Sequence, residues 1–136
     1  MDKQPTGQGS RRRAPAGLPT KALTIHQPWA SLIMAGLKNI ENRRWITTHR
    51  GPLWVHAGKA TDHTDQATSA RQELPDGHLP AGAILGWVTV VDVVPDHPSR
   101  WAEHGYYHWV LSDPVALPEP VPWRGAQGLW NFPARP

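Results

Sequence analysis

His26-Gln27-Pro28-Trp29-Ala30-Ser31-Leu32-Ile33-Met34-Ala35-Gly36-Leu37-Lys38-Asn39-Ile40-Glu41-Asn42-Arg43-Arg44-Trp45 is the stretch on which the reading of this chain turns. Pro28 suits the first position of a helix, Trp29, Leu32, Ile33 and Gly36 recur at helical spacing, and Gly36 stops the run, so residues 27–36 are expected to be helical. After Gly36 the period changes to two. Residues 39–45 read as a strand with Glu41, Arg43 and Trp45 on one face and Ile40, Asn42 and Arg44 on the other. Upstream, Ala22-Leu23-Thr24-Ile25 is a short apolar run suited to a first strand. The order is therefore strand, helix, strand, with polar side chains at each junction.

Working outward, residues 52–56 read as a strand after an Arg50-Gly51 turn. A surface helix is expected to begin near Thr61 or Asp62 and to end before the Pro75-Asp76-Gly77 turn. Residues 83–94 form the longest apolar run, rich in β-branched side chains, and are expected to be a central strand, bent or bulged at its glycines. A further strand is expected over 106–111. Pro118, Pro120 and Pro122 exclude a central strand from 115–122 and point to an extended edge or connection, before a last short strand at 129–132. Many short strands with one firm and one weaker helix predict an α+β fold, a small mixed β-barrel with flanking helices.

The chain has 136 residues, enough for one ordinary domain, and no Cys, which excludes disulfides, thiol nucleophiles and thiolate metal sites. No run approaches the ~18 apolar residues of a membrane span. Met1 to Ser10 lack the apolar core of a secretory signal, so a cytoplasmic, monomeric protein without membrane contact is expected. The histidines do not fall at metal-ligand spacing: His104 and His108 are separated by Gly105, and His63 sits in a helix-start pattern. No metal or other cofactor is implied.

The formal charge of +3 is unevenly placed. Residues 1–21 carry five Lys and Arg, including Arg11-Arg12-Arg13, against one Asp. Residues 1–20 are almost free of large aliphatic side chains and are expected to form a disordered tail ahead of a domain over 21–136. Residues 22–50 hold Lys38, Arg43, Arg44 and Arg50 against Glu41, whereas 51–136 hold five cations against nine anions. A short cationic segment in an acidic surround predicts a localised basic cleft.

The block His26-Gln27-Pro28-Trp29-Ala30-Ser31-Leu32, followed by Gly36-x-Lys38-x-x-Glu41-x-Arg43, Trp45 and the His49-Arg50-Gly51 turn, closely resembles the ASCH domain of the PUA-like superfamily. The resemblance covers about 23–131. It implies a PUA-like barrel whose cleft, beside the His-Gln-Pro-Trp helix, takes nucleic acid or a nucleobase-like ligand. On that reading His26, Gln27, Trp29, Lys38, Glu41, Arg43, Trp45 and Arg50 form the nucleic-acid-binding set, and the partner is RNA, single-stranded DNA or a nucleoside. Lys38 and Arg43 supply phosphate donors, Trp45 a stacking surface beside a guanidinium, and Glu41 an acceptor for an exocyclic amine. Each residue also has a structural reading: Lys38 favours a helix C-terminus, Glu41 and Arg43 can pair, Gln27 can bond locally and the Trp residues can be core.

Some ASCH proteins are amidohydrolases acting on N4-acylated cytosine nucleosides, and ribonuclease activity has been attributed to others. In the amidohydrolase branch a Lys, a Thr and a Glu make the site. Lys38 matches that Lys, but Glu41 stands where the branch has Thr, and Glu103 is the counterpart of the second carboxylate only on an insecure alignment. Binding is therefore the primary expectation, and hydrolysis by Lys38 and Glu41 the alternative.

Overall fold

Residues 18–133 are described in the computed structural model of the chain. The Arg-containing segment up to residue 17 lies outside them. The elements are β1 (Lys21–Gln27), α1 (Trp29–Met34), β2 (Ile40–Arg43), β3 (Gly51–Thr61), α2 (Asp65–Arg71), β4 (Ala83–Val94), β5 (Tyr107–Pro122) and β6 (Leu129–Asn131). They form an α+β structure with one six-stranded sheet in the order β2-β5-β4-β3-β1-β6. All pairings are antiparallel except β1 with β3, and α1 contributes to the crossover that this parallel pair requires.

The expected central strand matches β4. Its apolar run lies between β3 and β5, and its register shifts three times against β5, which gives the bending expected from the sequence. The proline-rich segment corrects a boundary. Residues 106–111 and 115–122 are not separate elements but parts of β5, which turns at Asp113 where φ is 52°. The prolines are tolerated because β2 pairs only with Tyr107 to Val110, so the Pro118–Pro122 half is bonded to β4 on one side alone.

The sheet separates two apolar regions. One packs α1, through Ala30 and Ile33, against Leu23, Val55, Val88 and Trp109. The other gathers Ala22, Trp54, Ile84 and Phe132. Leu18, read from composition as part of the tail, packs on this second cluster, and the Pro19 carbonyl accepts from Trp54 Nε1 at 2.7 Å. A third cluster of Leu32, Ile40, Ala70 and Trp101 fixes α2 and the 95–106 segment beside β2.

A closed barrel is not formed. No ladder among the described residues joins the outer strands β2 and β6. The cause is the length of β6, which pairs with β1 only from Lys21 to Leu23. Beyond Leu23 the gap toward β2 is crossed by a side chain, as Arg43 Nη2 donates to the Thr24 carbonyl at 2.8 Å. A single guanidinium stands where a closed barrel would place a ladder.

Candidate functional site

The helix of the signature is shorter than its sequence pattern. It runs Trp29–Met34, with Pro28 at the N-cap position. The reason is Gln27: its Oε1 accepts from Ser31 N at 2.9 Å, and its Nε2 donates to Ser31 Oγ at 2.8 Å and to the Pro80 carbonyl at 2.9 Å. Gln27 is 1% exposed and its amide is committed to holding the helix start, so the structure does not bring it into the cleft.

The other end explains the Gly-x-Lys spacing. Gly36 adopts φ 78° after the last helical turn, its N–H donates to Ile33 O, and Leu37 N donates to Leu32 O, both at 3.0 Å. This is the reciprocal pattern that closes a helix on a left-handed residue, which glycine adopts without steric penalty. Lys38 N also donates to Leu32 O, at 3.1 Å. The turn thereby drives the Lys38 side chain inward.

Lys38 is 5% exposed and Glu41 7%. Lys38 Nζ donates to the Ile40 carbonyl, lies 3.8 Å from Glu41 Oε1 and sits 5.6 Å from the Trp29 ring centroid. Burial lowers the Lys38 pKa below its ordinary value, opposed by the charges of Glu41 and then Glu103. Glu41 is shared, because its Oε2 also accepts from Arg43 Nε at 2.8 Å. Arg43 therefore spends its fork on Glu41 and Thr24, which is the ion pair that strand spacing allows.

These groups line a groove with two adjoining lobes. The inner lobe, about 440 Å³, is bounded by Trp29, Trp101, Lys38, Glu41, Asp62 and Glu103. The outer lobe, about 370 Å³, is bounded by Arg43, Arg44, Trp45 and Thr24. His26, Trp29, Glu41, Asn42 and Tyr106 line both, which makes the lobes continuous.

The charge corrects the expected basic cleft. The inner lobe has three carboxylates against Lys38, and only the outer lobe carries guanidinium groups. Arg50 does not contribute: it donates to the carbonyls of Thr47 and His49 at 2.9 Å and faces Asp92 at 3.6 Å, outside both lobes. Trp45 follows β2 instead of extending it, and it packs edge-on against Trp109 at 4.9 Å while remaining 37% exposed.

Several lining residues were not read from the sequence. Asn42 donates to Trp101 O at 3.0 Å and accepts from Glu103 N at 2.9 Å, while His108 Nε2 lies 2.7 Å from Glu103 O. The Glu103 peptide is thus held on both sides, with its carboxylate toward Lys38. Trp29 Nε1 donates to Asp62 Oδ2 at 3.1 Å, and Asp62 Oδ1 accepts from Thr64 N at 2.9 Å. The bond from Thr64 is the main reason the Asp62 pKa is lowered, with Trp29 and the charge of His26 adding to it. Arg44 lies over the Tyr106 ring at 4.5 Å and donates to its hydroxyl at 3.1 Å. Alternation had put Asn42 and Arg44 on the face opposite Glu41, but β2 is too short and too close to its end to enforce it.

Chemically, the inner lobe offers π surfaces, carboxylate acceptors and one amine. The outer lobe offers guanidinium donors. Comparison with known proteins bears on the chain and its fold. A family model described as ASCH domain matches residues 23–120. Activating signal cointegrator 1 of Mus musculus is 41% identical over 132 residues, which takes in 83% of this chain and 22% of that protein. Its Homo sapiens counterpart is 40% identical over 81 residues, 52% of this chain and 14% of that protein. The chain thus spans about a fifth or less of the length of these relatives. A solved point mutant of ZmASCH from Zymomonas mobilis shares the fold, with a TM-score of 0.53, 15% identity, and coverage of 82% of this chain and 88% of that one. The matched span contains α1, the Gly36-to-Arg43 signature and β4, and on that span the chain belongs to the ASCH domain family.

Proposed function

We infer that the groove binds one unstacked nucleotide of RNA or single-stranded DNA, with the base in the inner lobe and its phosphate toward the outer lobe. The observation that carries this is the shared wall: Trp29 lines both lobes, so a stacking surface continues from the carboxylates to Arg43 and Arg44. Stacking of a base on an aromatic side chain is worth ~1–3 kcal/mol, and carboxylates accept from exocyclic amines. Glu103, whose carboxylate has no hydrogen-bond partner among the described residues, is better suited to that than Glu41, which is already shared by Lys38 and Arg43. The reading therefore favours cytosine or adenine over uracil. His26, Trp29, Lys38, Glu41, Arg43, Trp45 and Glu103 are the residues proposed for it, with Arg44 added.

Titration of cytosine-, adenine- and uracil-rich single strands at low salt tests the reading. Trp29→Ala should weaken binding about tenfold or more, and Arg44→Ala should weaken it and flatten its salt dependence. Binding that neither substitution changes would overturn it.

One observation favours hydrolysis as a second reading. Burial lowers the Lys38 pKa in the direction a base or nucleophile needs, and Glu41 and Glu103, whose charges oppose that shift, stand beside it as carboxylates for acid/base work. Incubation with N4-acetylcytidine and with single-stranded RNA, with Lys38→Ala, Glu41→Gln and Glu103→Gln controls, decides it. Turnover no greater than that of the variants rejects catalysis.

A further inference from the structure

A second cavity lies apart from the signature groove. It measures about 760 Å³ and lies across β1 from the groove, under the 122–128 segment that joins β5 to β6. Its volume falls within the range of small-molecule sites. Among the described residues no carboxylate lines it. Two cations do, Lys59 at the end of β3 and Arg124 in the joining segment. Both are exposed, and neither makes a hydrogen bond or ion pair with any described residue. This sets them apart from Lys38, Arg43, Arg50 and Arg100, each of which faces a carboxylate.

The floor is preorganised. His56 is 2% exposed, and its Nε2 lies 2.7 Å from the Trp123 carbonyl, which can only accept. Nε2 therefore carries a proton, and Nδ1 lies 3.1 Å from the Thr24 hydroxyl. The same hydroxyl oxygen accepts from Trp130 Nε1 at 3.1 Å. Gly125 closes directly on this network, since a methyl there would stand 2.6 Å from both Thr24 Oγ1 and His56 Cε1. The joining segment is pinned again where Trp123 N donates to Gly82 O at 3.0 Å.

What the segment leaves open is as informative. The backbone amides of residues 124–127 have no hydrogen-bond partner among the described residues. The Trp123 ring packs edge-on against Phe132 at 5.0 Å and keeps 41% of its surface exposed. Among the described residues, a loop pinned at Trp123 thus lines the cavity with no carboxylate, two unpaired cations and a partly exposed aromatic ring, and its 124–127 amides have no partner.

We propose that this cavity is a second ligand site, specific for the phosphate of a nucleotide, with Lys59, Arg124 and the 124–127 amides taking the phosphate and Trp123 the base. Unneutralised cations and free backbone N–H groups are the donors that phosphate oxygens require. A bare anion would leave the aromatic face and most of the volume unused. The source of the phosphate is either a free mononucleotide or the end of a strand. The proposal does not depend on the groove, whose proposed ligand contacts are made by other side chains, although Thr24 lines both.

Amide and indole N–H resonances of the full chain, followed during titration with AMP, inorganic phosphate, and an eight-nucleotide strand with and without a 5′ phosphate, test it. AMP should shift the 125–127 amides and the Trp123 indole N–H, and bind about fivefold or more tightly than phosphate because it adds stacking. Lys59→Glu with Arg124→Glu should weaken AMP about tenfold or more, with Lys59→Gln and Arg124→Gln intermediate, and the unchanged remainder of the spectrum reporting that the variants are folded. If the phosphorylated strand binds tighter than AMP and than the unphosphorylated strand, the source is a strand end. If AMP binds as well as the phosphorylated strand, it is a free nucleotide. No shift at these resonances at millimolar AMP, shifts indifferent to charge reversal, or equal affinity for phosphate and AMP would each overturn the proposal. Trp29→Ala, which breaks the groove reading, should leave these shifts in place.

Discussion

The signature groove and the cavity over His56 flank the same strand, and Thr24 of β1 serves both, through its carbonyl to Arg43 and through its hydroxyl to His56. They differ in how their charges are used. In the groove, one carboxylate, Glu41, is shared by Lys38 and Arg43, which leaves Arg44 as the outer-lobe cation with no carboxylate partner among the described residues. In the cavity, Lys59 and Arg124 have no such partner among the described residues. A cationic motif in a sequence is therefore not equivalent to a cationic surface. Binding capacity for an anion depends on which cations the fold leaves unpaid by its own carboxylates.

The sharpest way to break this contrast is to remove Glu41. Glu41→Ala leaves Lys38 and Arg43 beside each other in a largely buried site with their common counter-charge gone, and breaking such a pair costs about 3–5 kcal/mol. Urea unfolding should show that loss, and thermal unfolding a midpoint lower by roughly 10 °C or more. A loss under about 1 kcal/mol would mean that the groove is not held together by its own charges. Arg43→Lys is the milder form. It keeps the charge but not the fork that reaches Glu41 and the Thr24 carbonyl together, so about 1–2 kcal/mol should be lost in the same measurement. An Arg43→Lys protein as stable as the parent would show that the gap between β1 and β2 needs no clasp.

Lys38 adds a pH signature. Its folded pKa lies below the ordinary 10.5, so above the folded pKa the unfolded chain holds a proton that the native protein lacks. The stability penalty from Lys38 is full below that folded pKa and is relieved as pH rises toward 10.5. The unfolding free energy of the parent, measured relative to Lys38→Met, should accordingly increase with pH across that window. A constant or falling difference would place Lys38 in a more polar setting than the groove provides.

How much of this was legible in the sequence follows from which forces act locally. The Gly36 stop, the apolar face of α1 and the extent of β4 are local or periodic signals, and they were readable. The pairing of Glu41 with Arg43 was readable as an option, since two residues on one strand face meet. Asn42, Trp101 and Tyr106 were not, because they converge only when the 95–106 segment folds back onto β2, and nothing in their spacing announces that. Closure of the barrel failed for a related reason. A three-residue β6 resembles any short apolar run, and its inability to cover β1 beyond Leu23 is visible only in the pairing. The Lys59 and Arg124 cavity was hidden by the opposite effect: these cations lie in a region whose net charge is negative, so a segment sum conceals them.

The smallest expected effect completes the comparison. Lys59→Glu with Arg124→Glu reverses two charges on one cavity, yet neither side chain bonds to any described residue, so the unfolding free energy should stay within ~0.5 kcal/mol of the parent. The null change in stability matters because it separates two kinds of cation. If the groove carries its basic residues to assemble itself, their removal is felt in folding. If the cavity carries its basic residues to meet a ligand, their reversal is silent in folding and felt only when phosphate is offered. A stability loss above about 1 kcal/mol in the double variant would erase that distinction, since it would mean that the joining segment relies on Lys59 and Arg124 for its own position over His56.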